Sequence, residues 1–159
     1  KLTIQECRLQ LEAEYWLCLD SIKVASENGM TSEDAQFRKA EILKRCEANG
    51  LLDYKKLKEM RIINESNHTI CPLCLKELSG NEFLNKVAQP EGREVPDLTV
   101  TQVNLFHINE LKYGAFNHKP YNLGWGHHFC NVVVKDSGIY PTLEWMQSVL
   151  DANKENGFF

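Results

Sequence analysis

Residues 121–135 read YNLGWGHHFCNVVVK, and the polar side chains in that stretch decide how the rest of the chain is read. His127 and Cys130 have the H-x-x-C spacing of half a zinc site. The other half lies upstream in Cys71-Pro72-Leu73-Cys74. Zinc prefers a tetrahedron of thiolate and imidazole ligands, and structural sites are usually closed by four protein groups. Cys71, Cys74, His127 and Cys130 supply that set, and the short gap within each pair lets both members reach one ion. His128 is the neighbouring alternative to His127, although the H-x-x-C spacing favours His127. Such a site staples distant parts of a small fold and couples folding to metal. Between the two halves lies one candidate base, His107, in Leu105-Phe106-His107-Ile108.

Composition sets the outer bounds. At 159 residues the chain suits one domain, or a small domain with a helical extension, and an apolar content of 43% supports a core. No run approaches the roughly 18–20 apolar residues that a membrane-spanning helix needs. No secretory h-region opens the chain, and its six cysteines include the paired knuckles, so a reducing, cytoplasmic setting is expected rather than disulfides. Cys7, Cys18 and Cys46 fall in helical patterns and read as buried thiols. A net charge of −4 argues weakly against nucleic acid. Distribution counts for more than the sum, and Lys112, His118, Lys119, His127, His128 and Lys135 cluster around the motif.

Upstream, residues 3–28 read as one helix with Leu11, Tyr15, Cys18, Leu19 and Ile22 on its apolar face. Glu12, Glu14, Asp20 and Lys23 fall largely off that face, and Asn28-Gly29 ends it. Thr31 caps a second helix that turns Phe37, Ala40, Leu43 and Ala48 inward and stops at Asn49-Gly50. Asp53 caps a third, shorter helix with Leu57 and Met60 on one face. Tyr15 and Trp16 read as core. From Asn64 the character changes: a polar link, the cysteine knuckle, and a loop over residues 80–97 rich in Gly and Pro. Residues 98–108 are the clearest strand and residues 121–125 suit a second. Residues 129–135 turn into a helix, residues 137–141 break it, and residues 142–152 form a last amphipathic helix with Leu143, Met146 and Leu150 on one face.

That order of elements resembles the HNH (His-Me finger, ββα-metal) nucleases. Their pattern is D-H-I-x-P-x-x-x-G-G followed by N-L-x-x-L-C-x-x-C-[HN]. Residues 106–115 read F-H-I-N-E-L-K-Y-G-A, and residues 122–131 read N-L-G-W-G-H-H-F-C-N. The resemblance covers residues 70–135 and leaves the preceding helices unexplained. It implies that His107 is the general base that activates a water. It puts Asn131 where the family has a ligand of a catalytic Mg²⁺ or Mn²⁺, and Asn122 where a structural Asn ties the hairpin. This chemistry is coherent, because phosphodiester hydrolysis needs a poised base and a cation that stabilises charge on phosphate and leaving oxygen. The departures are Phe106 where many members place a second metal ligand, Glu110 and Ala115 for the usual Pro and second Gly, and His127 for a Cys. With Phe106 unable to ligate, either Asn131 and phosphate alone hold the metal or a neighbour such as Asn104, Asn109 or Glu110 substitutes.

The expected fold class is α+β: a zinc-stapled ββα-metal (HNH) core over residues 65–159 that ends in a C-terminal helix, preceded by a helical subdomain over residues 1–64. The expected function is metal-dependent endonuclease cleavage of double-stranded DNA, of restriction type. Lys112, His118, Lys119 and Lys135 are the candidate phosphate contacts. Cutting both strands needs two active sites, which a homodimer would supply. The alternative is a catalytically inactive, zinc-stabilised module that binds nucleic acid or protein. Phe106 and the acidic balance are the features that favour it.

Overall fold

The computed structural model describes residues 2–87, 100–109 and 118–159. Four helices lead the chain: α1 (Leu2–Trp16), α2 (Ser21–Glu27), α3 (Ser32–Ala48) and α4 (Tyr54–Glu59). A single 3-10 turn (Gly80–Phe83) follows the cysteine knuckle. Strands β1 (Val103–His107) and β2 (Leu123–His127) pair antiparallel, with Phe106 opposite Gly124 and His107 opposite Leu123. Helix α5 (His128–Val134) leaves β2 directly, and α6 (Ile139–Glu155) ends the chain. The described part is a mixed α+β fold with a small two-stranded sheet.

Where the chain departs from its sequence reading, hydrogen bonds and packing partners outside the helix concerned decide the outcome. The expected first helix is two helices, α1 and α2, broken over residues 17–20. Ser21 Oγ donates to the Trp16 carbonyl oxygen at 2.9 Å, closing α1 from outside. The break frees the Asp20 carboxylate to accept the Gly80 N–H at 2.8 Å and the Ser79 hydroxyl. It also leaves Leu19 at the surface, 70% exposed, rather than on the apolar stripe. In α1 the buried face carries Cys7, Gln10, Ala13, Glu14 and Trp16, so Glu14 points inward, against expectation. Trp16 is core, with Tyr15 half-buried against it edge-on at 5.1 Å.

Thr31 caps α3 by accepting the Asp34 N–H at 3.0 Å, and Asp53 caps α4 by accepting that of Lys56 at 3.1 Å. The face of α3 is rotated from its expected phase. Ala35, Ile42 and Cys46 are buried, while Phe37, Ala40 and Ala48 are exposed and only Leu43 packs inward as expected. Propensity cannot distinguish these phases; the partner surface of α1 and α2 does. The first strand is shorter than expected and the second starts two residues later. Gly138, at φ +87°, starts α6 before the expected break ends.

One core joins the helices to the hairpin. Leu17, Leu57, Ile62 and Ile63 meet Phe106, Ile108, Tyr121, Val134 and Ile139. Buried apolar surface contributes about 25 cal/mol per Å², so Phe106, which is fully buried, is a large contributor. It fits because Gly126 has no side chain: a Cβ there would lie 2.4 Å from Phe106 Cδ2. Polar ties reinforce the packing. Gln10 Nε2 donates to the Leu51 carbonyl at 2.9 Å and its Oε1 accepts the Tyr121 N–H at 2.8 Å. Trp125 Nε1 donates to the Leu11 carbonyl at 2.9 Å. Cys7, Cys18 and Cys46 are buried free thiols. No described helix is long and apolar enough to cross a membrane.

Candidate functional site

Two sites share the turn from β2 into α5. The first is a cysteine–histidine cluster. The knuckle is a tight turn in which Leu75, at φ +64°, donates its N–H to the Cys71 carbonyl at 2.9 Å, and Cys71 donates to that of Lys76 at 2.9 Å. The turn presents Cys71 and Cys74 on one side of the protein. The end of β2 and the first turn of α5 bring His127 and Cys130 to the same place. The four ligand atoms of Cys71, Cys74, His127 and Cys130 lie within 4.8 Å of one another. A zinc tetrahedron with Zn–S of about 2.3 Å and Zn–N of about 2.0 Å has edges of about 3.5–3.8 Å, so the donor set and its spacing fit zinc. His127 converges with the cysteines; His128, its neighbour, turns elsewhere.

The cluster's electrostatics favour a cation. Burial pushes the Cys130 thiol up to about 12, and the neighbouring Cys71 and Cys74 add to that rise. Burial also raises Cys71, while the backbone N–H groups of Cys74, His127 and Leu73 pull it back down. Three adjacent thiolates repel one another unless a metal ion neutralises them. The histidine is oriented from behind. His127 Nε2 lies 3.0 Å from a Glu82 carboxylate oxygen, while Nδ1 lies 3.3 Å from Cys74 Sγ. A carboxylate on one ring nitrogen fixes the tautomer and leaves the other nitrogen to the metal. Sequence reasoning did not single out Glu82. Its signal was the Ser79-Gly80-Asn81-Glu82 capping box, in which the carboxylate also accepts the Ser79 N–H at 2.8 Å.

The second site is an open cleft of about 350 Å³ beside the same turn, lined by Asn104, His107, His128, Asn131, Lys135 and Asp136 among others. His107 ends β1, half-buried. Burial holds its imidazole below the ordinary histidine value, and His118 lowers it further, while Asp136 opposes both. His107 Nε2 and His118 Nδ1 are 3.4 Å apart. A neutral imidazole that opens on solvent and a phosphate-sized cleft is suited to taking a proton from water.

Asn131 lies one turn into α5 and donates Nδ2 to the Leu105 carbonyl at 3.1 Å, which leaves its Oδ1 available to the cleft. Asn122 is buried away from the cleft. Its Oδ1 accepts the Asn109 N–H at 2.9 Å and its carbonyl accepts that of Ile108 at 3.0 Å, tying the chain just past His107 to the start of β2. Lys135, at φ +50°, is exposed on the cleft rim, and Lys119 is exposed near its His118 side. His118 is half-buried beside His107 rather than out on the surface. Lys112 lies outside the described residues. Outside the cysteine cluster, no other three His, Cys, Asp or Glu side chains converge on a point among the described residues.

Comparison with known proteins adds one finding. A family model described as BstXI restriction endonuclease matches residues 2–128. The match runs from α1 through β2, so it takes in the N-terminal helices as well as Cys71, Cys74, His107, Asn122 and His127. No curated protein and no solved structure matches. A restriction-family match supports DNA endonuclease activity with DNA as the substrate. With four-fifths of its residues matched, from the first helix to the end of the hairpin, the chain belongs to the BstXI restriction endonuclease family.

Proposed function

We propose that the protein cleaves double-stranded DNA by an HNH-type mechanism, with His107 as general base and Asn131 as a ligand of a catalytic divalent cation. The observation that carries this reading is that His107 and Asn131, 24 positions apart (131 − 107), line one cleft. His107 accepts a proton from a water held in line with the scissile phosphorus. The water oxygen forms the new P–O bond as the bond to the leaving oxygen breaks. Asn122 acts at a distance, by fixing the chain that carries His107. Lys135 and Lys119 neutralise flanking phosphates without reading bases. A divalent cation bound at Asn131 would supply charge stabilisation at the phosphate and leaving oxygen, and Mg²⁺ or Mn²⁺ suits a site with few protein ligands. The cysteine cluster is read as a structural zinc site that fixes the β2–α5 turn. Residues 1–64 are read as a helical subdomain, and a homodimer would bring one cleft to each strand.

A second reading is favoured by one observation. Phe106, next to the base, is wholly committed to the core and cannot ligate a metal. On that reading the fold binds DNA without cutting it. Incubating plasmid DNA with the zinc-loaded protein and Mg²⁺ or Mn²⁺ separates the two. The nuclease reading expects cation-dependent cleavage that drops by about 10²–10⁴-fold in His107→Ala at unchanged melting temperature. Cleavage that survives His107→Ala intact removes this mechanism.

A further inference from the structure

We propose that His128, oriented by Asn104, is a second protein ligand of the divalent cation assigned above to Asn131, and that the nitrogen donor tilts the site toward Mn²⁺ over Mg²⁺. This assignment rests on the nuclease reading for the role of the cation, but the ligand set is argued from hydrogen bonds, helix spacing and the lining of the cleft. A single neutral carboxamide is a poor anchor for a divalent ion. His128, which also lines the cleft, offers a second donor.

Asn104 Nδ2 donates to the Thr101 carbonyl at 2.9 Å and reaches the Thr101 hydroxyl at 3.3 Å. Its oxygen is therefore an acceptor, and it faces His128 Nδ1 at 2.8 Å. That contact requires the Nδ1–H tautomer and leaves Nε2 with its lone pair. The same logic applies to Asn131, whose Nδ2 is held by the Leu105 carbonyl and whose Oδ1 is left over. His128 and Asn131 stand three positions apart on α5, so they share one face of the helix, and both line the cleft with His107. Adjacent residues of β1, Asn104 and Leu105, thus hold two neighbouring ligands of α5. An outer hydrogen bond of this kind is the usual partner of a metal-bound imidazole. Magnesium prefers all-oxygen surroundings with several waters, whereas Mn²⁺ accepts imidazole more readily. Asp136, also on the rim, is the competing donor.

The test uses the full chain loaded with zinc and Mn²⁺ alone as probe. Free Mn²⁺ is counted by its EPR signal, and ligand nitrogen is read by pulsed EPR. The expected result is a weak hyperfine coupling to one imidazole nitrogen, kept in His107→Ala and lost in His128→Ala. Mn²⁺ affinity should fall about tenfold or more in His128→Ala and in Asn131→Ala. The positioning residue should behave differently: Asn104→Ala should lower affinity by about 10–100-fold with zinc content and melting temperature unchanged. Mn²⁺ should bind more tightly than Mg²⁺ in the parent protein, and that preference should shrink in His128→Ala. A nitrogen coupling that persists in His128→Ala overturns the proposal, as does binding abolished by Asp136→Asn but untouched by His128→Ala, or no Mn²⁺ binding at all. Coupling lost in His128→Ala in a protein that cuts no DNA would uphold the ligand assignment and remove only the nuclease reading beneath it.

Discussion

His127 and His128 are neighbours in the chain with opposite surroundings. His127 faces a closed set of three cysteines and is backed by the carboxylate of Glu82. His128 faces an open cleft and is backed by the carboxamide of Asn104. The strand-to-helix turn between β2 and α5 gives the two rings these different partners, although both also border one cavity with Glu82, Gln102 and Phe129. The lesson lies in the coordination number each side offers. Four protein donors would leave no room for substrate, in keeping with the structural role proposed for the first site. Few protein donors would leave room for water and phosphate, as the proposed catalytic role of the second requires.

The largest effect should come from breaking the closed side. Cys71→Ser should abolish stoichiometric zinc and the cooperative thermal transition, because structural zinc contributes binding free energy of about 10 kcal/mol or more in small zinc-dependent domains. The open side should be lost with it, since α5 carries residues of both sites. A variant that retains one zinc per chain and an unchanged melt would show that the two sides are independent.

Glu82→Gln sharpens the same comparison more gently. Zinc affinity should fall by about 10–100-fold in a chelator competition, with DNA cleavage unchanged at saturating zinc. Cleavage that falls in step with the substitution even at saturating zinc would mean that Glu82 serves the cleft instead.

A control that touches neither site is Glu14. Burial holds its carboxyl well above the ordinary carboxylate range, and neither oxygen finds a hydrogen-bond partner among the described residues. Its folded-state value exceeds the unfolded one, so the folded chain binds the extra proton. Stability should therefore fall as pH rises from the unfolded value, by about 1.4 kcal/mol per pH unit for one proton, until the folded group itself ionises. Glu14→Met should melt higher than the parent at pH 7, by roughly 1–3 kcal/mol, and the gap should close as pH falls toward 4. Equal pH dependence in the two proteins would mean that the carboxyl is solvated after all.

The smallest effect should be a shift in the pH profile of cleavage. Cleavage should rise with pH as His107 loses its proton and should level off below the ordinary histidine value, because burial and His118 favour the neutral ring. Removing His118 as His118→Ala should move the acidic limb to higher pH, and Asp136→Asn should move it lower. Movement of both in the same direction would detach the limb from His107.

The cysteine and histidine spacings were readable in the sequence because two-residue gaps impose local geometry whatever the rest of the chain does. The strand, strand and helix order was readable from the β-branched run in residues 98–108 and the short stretch before the H-x-x-C turn. The supporting residues were not. Glu82 falls in a stretch that reads as loop, and Asn104 reads as a candidate substitute metal ligand, until tertiary packing brings them behind His127 and His128. The break after Trp16 was hidden because residues 17–20 keep helical spacing in their apolar positions. Its cause is pairing with distant groups, Thr69 and Gly80. Glu14 was misjudged because a carboxylate is assigned to solvent by default. The N-terminal helices lay outside the HNH resemblance, yet they fall within the family match.

The packing of Phe106 over Gly126 has a bearing on how such a cleft can change. Writing an acidic residue at position 106 would not give the cleft a new donor. It would bury a charge where a ring had been and leave an empty volume facing a residue with no side chain to fill it. Filling position 126 first would fail as well, because the ring already occupies that space. A side chain at position 126 therefore requires a smaller residue at position 106 first, and a charged residue at 106 is disfavoured by burial, which keeps the neighbour of His107 apolar.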